Sequence, residues 1–154
     1  ENSPYMVSNL HTFLTTTLYG YLPAEVKAVI SNKRMLMEYR YSASGALSDS
    51  TSWDWKDFGP LWVPTEYEVF DSCIWGTKGW SQGQAIQYPI FANSYLHRIK
   101  GQGNGGGRCN WWLASVAGGS STRCVIVGGY GGSYDWNGAS SELFVPVCFR
   151  IDEA

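Results

Sequence analysis

Apolar residues recur at intervals of three and four near the start of the chain, a spacing that predicts helices. A first helix is expected over residues 8–20, with Ser8 as its N-cap and Gly20 at its end. Two further helices are expected over residues 23–31, which begin at a proline, and over residues 91–101. The apolar residues of the first stretch share one helical face: Leu10, Phe13, Leu14 and Leu18.

Further along, runs of apolar and β-branched residues predict strands. The segment RMLMEYRYS (34–42) is typical of a strand, and a polar loop is expected over residues 43–52. Thr65 and Glu68 have the spacing of a capping box, so a helical turn is expected after Pro64. The last strands are expected at WWLAS, TRCVIV and VPVCFRI.

The strand TRCVIV alternates between two faces of a sheet. We assign Cys124 and Ile126 to the core, and Arg123, Val125 and Val127 to an exposed face. A shift of register by one residue would exchange the two sets.

The order of these elements predicts the fold class. Helices precede most of the strands instead of alternating with them, which favours an α+β fold over an α/β fold. A chain of 154 residues is long enough for one domain with a real core, so a single domain over residues 1–154 is expected.

Composition changes this picture in two ways. Charged residues make up only 16% of the chain, the net charge is −2 and there is no basic run, which disfavours nucleic acid as a partner. No apolar stretch approaches the length of a membrane span. The chain begins at Glu1 without a methionine, so we expect it to be the C-terminal part of a longer protein.

Several motifs suggest catalysis or cofactor binding, but the sequence around each of them argues against that function. The glycines of GQGNGG (101–106) have the spacing of a dinucleotide fingerprint but follow a predicted helix, so a hairpin-like loop is favoured. Ser81 in GWSQG has no acid between it and His97, so no hydrolase triad in the usual order can be built. Glu66, Glu68 and Asp71 form an acidic cluster, in which Glu68 is expected to cap its own turn and the others to face water.

The four cysteines leave two interpretations open, disulfides or buried thiols, and their spacing does not suggest zinc. No catalytic residue, metal or cofactor is predicted.

The segment GGYGGSYDWNGASSE (128–142) has a different character. Gly, Ser, Asn, Tyr and Trp together are typical of antibody-like binding loops, in which the aromatic rings give contact area and the small residues adapt. Tyr134 and Trp136 need either a core to enter or a partner to meet. An ordinary glycine-rich hairpin is the alternative.

Parts of the chain resemble the C-type lectin fold of the formylglycine-generating-enzyme-like branch. The features that carry the likeness are NWWLAS (110–115), the Gly/Ser/aromatic stretch after it, and the ending VPVCFRI (145–151). LWVPTEYEVF (61–70) and QYPIFAN (87–93) are similar to the same proteins. The resemblance covers nearly the whole chain and implies helices packed on a twisted antiparallel sheet, with variable residues on one exposed face.

Within that branch the chain resembles the variable proteins of diversity-generating retroelements of gut bacteria or their prophages. In those proteins the last segment is rewritten at template adenines, so that Asn codons become Tyr, Ser, Gly or Asp codons, among others. Residues 117–144 are rich in the reachable types. Trp136 and Glu142 are not reachable in this way, and Phe144 stands where the family ending usually has Gly.

The resemblance implies a ligand- or receptor-binding module. Its partner would be a protein or glycan receptor, and its place a phage tail or a bacterial surface. The residues expected on the variable, ligand-binding face are Arg123, Val125, Val127, Tyr130, Tyr134, Asp135, Trp136, Asn137, Glu142 and Leu143. The residues expected to form the scaffold are Trp111, Trp112, Leu113, Ser115, Val145, Pro146 and Phe149.

Two activities of the wider family are not carried over. The calcium-binding motifs of sugar-binding lectins are missing apart from WNG at 136–138, and no residues match the cysteine pair of the formylglycine-generating enzymes. Two alternatives remain open: a structural tail or fibre subunit that self-associates through these aromatics, and an enzyme that works through the acidic cluster or Ser81.

Overall fold

The N-terminal helix is continuous but changes its winding. The computed structural model describes residues 5–38, 53–76, 86–103, 105–118, 120 and 122–152. Helix α1 (Asn9–Thr12) passes into a π-helical segment (Phe13–Leu18) and then into α2 (Tyr19–Tyr21). The predicted cap is confirmed, since the Ser8 side chain accepts a hydrogen bond from the His11 amide. Threonine hydroxyls in this helix donate to carbonyls four residues back, which loosens the winding.

The other predicted helices are shorter than the apolar spacing indicates. Helix α3 covers only Ala24–Lys27, and α4 covers Glu66–Phe70. The capping box predicted at the start of α4 is confirmed. The helix predicted over residues 91–101 is wrong, because this stretch holds only the end of α5 (Pro89–Ala92), then a 3-10 turn and a strand. That 3-10 turn covers Tyr95–Arg98.

Nine short strands form four antiparallel sheets within the described residues. Three of the sheets are pairs, namely β1 with β9, β2 with β3 and β4 with β5, and the fourth has the order β6-β7-β8. The first five strands along the chain are β1 (Ile30–Ser31), β2 (Lys33–Glu38), β3 (Trp53–Gly59), β4 (Lys100–Gly101) and β5 (Arg108–Cys109). The remaining strands are β6 (Trp111–Val116), β7 (Cys124–Val127), β8 (Ser133–Tyr134) and β9 (Arg150–Ile151).

These elements make the chain an α+β protein, as predicted. Strand β6 lies where WWLAS predicted it, and β4 and β5 form the hairpin expected around the glycine-rich loop. Strands β3 and β8 were not predicted. The predictions for residues 39–52 and for Ser81 fall outside the described residues.

The sheet β6-β7-β8 is covered on both faces. Residues of one face join the first core cluster, which brings together the N-terminal segment, β3 and residues 61–67. Residues of the other face join the second core cluster beneath α4 and α5. The sheet residues on the first side are Trp112, Ala114 and Ile126. Those on the second side are Trp111, Leu113, Val125 and Val127.

This arrangement overturns the exposed face predicted for β7. Val125 and Val127 are fully buried, because β7 is the central strand and α4 and α5 cover the face that the alternation assigned to solvent. Ile126 is buried in the first core cluster, and Cys124 packs against it. Arg123, just before the strand, is exposed.

The residues expected to form the scaffold differ in burial. Trp111, Trp112 and Leu113 are buried, and Ser115 is half-buried. Val145 and Pro146 are half-buried, whereas Phe149 is 52% exposed and is therefore not a core residue. In this last segment Cys148 pairs with Trp62 through an isolated bridge, and Arg150 and Ile151 form a two-residue ladder with β1.

Trp111 is the largest fully buried side chain among the described residues, and its replacement tests the predicted scaffold. Its indole Nε1 donates to the Arg98 carbonyl at 2.8 Å, and its ring stacks on Phe91 with centroids 6.2 Å apart. Trp111→Ala should lower the free energy of unfolding by about 3–5 kcal/mol, because it opens a cavity and leaves a carbonyl without its donor.

Denaturant unfolding measures this loss, and Trp55→Ala is the matched control, since Trp55 is 50% exposed. The control should change stability by less than about 1 kcal/mol. Equal losses in the two variants would contradict the placement of Trp111 in the core.

Candidate functional site

A tight glycine turn leads from β7 to β8. The amide of Gly128 donates to the Gly132 carbonyl at 2.9 Å, and the amide of Gly131 donates to the Gly128 carbonyl at 2.8 Å. Gly131 has a φ of 82°, in the left-handed region that favours glycine. A Cβ there would also lie 2.9 Å from the Tyr95 carbonyl oxygen. Backbone hydrogen bonds and the backbone geometry of glycine therefore shape the turn.

Two aromatic rings stack on this turn. A Cβ on Gly128 would lie 2.4 Å from the ring of Tyr134, so the ring rests directly on the glycine backbone. The ring of Trp136 stacks on Tyr134 with centroids 4.2 Å apart and an interplanar angle of 21°. Trp136 remains 60% exposed. Tyr134 thus supports one face of the Trp136 indole, while much of the indole is exposed to solvent.

The stack borders an open cavity of about 760 Å³, which we call the aromatic cavity. Tyr130 is 76% exposed on its rim, and the guanidinium of Arg108 lies 5.1 Å from the centre of that ring. The residues that line the aromatic cavity are Arg108, Asn110, Gly128, Gly129, Tyr130, Tyr134 and Trp136.

Asn110 is fixed in the wall of the aromatic cavity. Its side-chain oxygen accepts a hydrogen bond from the Gly129 amide at 2.9 Å, and its backbone carbonyl accepts one from the Phe144 amide at 3.3 Å. Because only the side-chain oxygen can accept from that amide, the NH2 group must point the other way.

The base of β8 is anchored by a buried carboxylate, Glu66 of α4, which is fully shielded from solvent. The hydroxyl of Ser133 donates to its Oε1 at 2.5 Å. The amides of Trp75 and Gly76 donate to the two carboxylate oxygens at 3.1 and 2.8 Å. The Glu66 amide in turn donates to the Ser115 hydroxyl at 2.9 Å, so this one residue joins α4, β6, β8 and residues 75–76. We call this group the Glu66 anchor.

Burial raises the pKa of the Glu66 carboxyl, while its hydrogen bonds from Ser133, Gly76 and Trp75 act in the opposite direction. The expectation that this side chain faces water is therefore wrong. Its partners lie far away in the sequence, and nothing in the local pattern EYEVF indicates them.

The second acidic side chain also has structural partners. Glu68 caps α4 and forms an ion pair with Lys33, whose ammonium also donates to the Tyr88 hydroxyl at 3.1 Å. The Tyr88 hydroxyl donates to Glu68 Oε1 at 2.7 Å and accepts from the Trp62 indole at 3.0 Å.

Burial and the nearby Glu68 raise the pKa of the Cys148 thiol to about 11, so this thiol stays protonated at neutral pH.

The residues predicted to form one ligand-binding face lie at several separate places in the structure. Tyr130, Tyr134 and Trp136 meet at the aromatic cavity. Arg123 lies elsewhere, at a smaller apolar cavity of about 170 Å³ beside the N-terminal helix. The remaining members do not line the aromatic cavity.

Those members are of several kinds. Asp135 and Asn137 are half-buried, and the Asn137 side-chain oxygen has no hydrogen-bond partner among the described residues. Glu142 is exposed, whereas Leu143 packs partly against the first core cluster. Val125 and Val127 are in the second core cluster and cannot contact a ligand without unfolding.

Sequence reasoning placed the glycine turn in the binding segment 128–142 but missed Arg108 and Asn110 as parts of the site. Arg108 and Asn110 precede β6 and come beside the turn only through the pairing of β6 with β7. A signal was nevertheless present, since Asn110 stands at the junction with WWLAS, where a polar residue interrupts an apolar run.

The fold and the site together define an α+β domain that carries an exposed aromatic cavity at one end of a sheet buried on both faces. Residues 1–153 match the family described as a domain of unknown function, DUF6273, and the chain belongs to that family. No curated protein and no solved structure gives a significant match. Among the described residues, no helix is long and apolar enough to cross a membrane, and no group of three or more potential ligands could hold a metal ion.

The Glu66 anchor predicts how stability depends on pH. Glu66→Gln should lower the free energy of unfolding by about 1–3 kcal/mol near neutral pH, since one amide oxygen replaces two acceptor atoms and the NH2 group faces backbone donors. Because burial raises the pKa of Glu66 above its usual value of 4.5, the folded chain holds that proton more tightly than the unfolded chain. The stability that wild type has over the variant should therefore be greatest below about pH 4.5 and should decline as pH rises through the folded-state pKa.

Urea unfolding of both proteins across a pH series measures this difference. Glu142→Gln is the control, because its carboxylate is exposed and should show no comparable trend. If the stability of wild type relative to Glu66→Gln instead grew with pH, the hydrogen bonds from Ser133, Trp75 and Gly76 would outweigh burial. That result would contradict a raised pKa for Glu66.

Proposed function

We propose that this domain is a ligand-recognition module that binds its receptor at the aromatic cavity. The observation that carries the proposal is the pair of highly exposed rings, Tyr130 and Trp136, at 76% and 60% exposure. Each ring has one face backed by another group of the protein, Arg108 or Tyr134, which restricts the motion of the ring before a ligand arrives. Large aromatic rings that are held in place and exposed are the usual anchors of binding surfaces.

The division between the frame and the site supports the same function. Stability comes from the two core clusters and the Glu66 anchor, whose side chains lie below the rim. The turn that carries Tyr130 depends on backbone hydrogen bonds, on glycine and on the bond from the Gly129 amide to Asn110, and not on the exposed rings of Tyr130 and Trp136. Side chains on the rim can therefore change without loss of the fold, as a recognition surface requires.

The proposal includes the setting that the sequence resemblance implies. The scaffold would be C-type-lectin-like and the segment around residues 128–142 would be its variable part, displayed on a phage tail or a bacterial surface to contact a protein or glycan receptor. Tyr130 and Asp135 are of types that adenine-directed change of Asn codons produces, whereas Trp136 is not. Trp136 would then be a fixed anchor among changing neighbours.

Binding by a double variant tests this function. Tyr130→Ala combined with Trp136→Ala should weaken binding to bacterial cells, or to an array of bacterial surface glycans and proteins, by about 30-fold or more for each anchor. The free energy of unfolding should change little, because both rings are mostly exposed.

The matched control replaces two exposed aromatic residues that do not line the cavity, Tyr21 and Trp55, by alanine. It should bind as wild type does. Undiminished binding by the Tyr130/Trp136 variant, or the absence of any binding by wild type, would contradict the proposed function.

A further inference from the structure

The charges around the aromatic cavity indicate what kind of ligand it takes. We infer that the aromatic cavity binds a sugar residue that carries a carboxylate, an inference that rests on the proposed function. The sugar ring would lie against Trp136 and its carboxylate would meet Arg108.

Among the described residues, Arg108 is the only charged one that lines the aromatic cavity. Its side chain is exposed and lies over Tyr130, and it forms no ion pair with any carboxylate in the described part of the chain. The cavity therefore presents an unpaired positive charge on a chain whose net charge is −2. The guanidinium lies 5.1 Å from the centre of the Tyr130 ring, a contact that leaves its N–H groups free to bond, and paired N–H groups match the two oxygens of a carboxylate.

Asn110 adds a neutral donor to the same wall. Its oxygen is occupied by the Gly129 amide, so its NH2 group is the part left for a ligand. Among the described residues this NH2 group has no hydrogen-bond partner. A hydroxyl or ring oxygen of a sugar is an acceptor that fits such a donor.

The exposed Trp136 indole is the third feature of the cavity that indicates a sugar. One face of Trp136 is covered by Tyr134, and the tryptophan is still 60% exposed. The faces of aromatic rings are electron-rich, so they attract the C–H groups on the apolar face of a sugar ring. A flat apolar surface, a neutral donor and one cation together favour an acidic sugar over a neutral sugar, an acidic peptide or an apolar ligand.

Paired oligosaccharides that differ in charge test the inference. Calorimetric titration compares 3′-sialyllactose with lactose, and trigalacturonate with its methyl ester. At least one acidic compound should bind about 10- to 100-fold more tightly than its neutral counterpart, the range for one charge-assisted hydrogen-bonded contact. The two pairs also distinguish a sialic acid from a uronic acid as the source of the carboxylate.

Variants then assign the preference to named residues. Arg108→Gln should abolish the preference for the acidic compound and leave the weak binding of the neutral one, while Trp136→Ala should weaken both. The control Arg34→Gln replaces another exposed arginine that lies over an exposed ring, Trp55, and does not line the aromatic cavity, and it should change neither.

Equal affinity for the acidic and neutral compounds, no binding of either acidic compound, or an unchanged preference in Arg108→Gln would overturn the inference. The proposed function would survive any of these results if another ligand is lost in the Tyr130/Trp136 double variant. It would fail separately if that variant bound its ligand as wild type does.

Discussion

A carboxylate that is fully shielded from water must have its oxygens hydrogen-bonded, and Glu66 obtains these bonds from segments that are far apart in the chain. Its partners are the amides of residues 75–76 and the hydroxyl of Ser133, while its own amide is bonded to Ser115 of β6. If residues 75–76 or Ser133 moved away, the buried carboxylate would lose a hydrogen bond, and if Ser115 moved away, the Glu66 amide would lose its acceptor; each loss costs more than an ordinary contact because the groups are shielded from water. The position of β8, and with it of Tyr134 and Trp136, follows from this constraint.

The two core clusters complete the frame that Glu66 holds together. Strand β7 has buried residues on both faces, so the sheet is the middle layer of the domain and not an exposed surface. The proposed binding site therefore lies at the end of the sheet, where the glycine turn and the residues before β6 meet. If the proposed function holds, the buried middle layer would keep the fold stable while the side chains at the end of the sheet vary.

Local sequence signals predicted the local features of the fold. The Ser8 cap, the capping box of Thr65 and Glu68, and the strand at Trp111 each depend on residues within a few positions of one another. The features that were missed depend on distant partners. Val125 and Val127 follow the alternation of a half-exposed strand, and only the packing of α4 and α5 shows that their face is covered. For the same reason the aromatic residues of the site could be identified from composition, whereas Arg108 could not.

Native-state hydrogen exchange tests most directly whether the Glu66 anchor belongs to the frame. The amides of Trp75 and Gly76 lie in an irregular segment, yet they should exchange only through the same global opening as the amides of β7, with the same dependence on denaturant. The amide of Tyr130, at the exposed turn, should exchange orders of magnitude faster. If the amides of Trp75 and Gly76 exchanged as fast as that of Tyr130, Glu66 would not hold the frame together and the account would be contradicted.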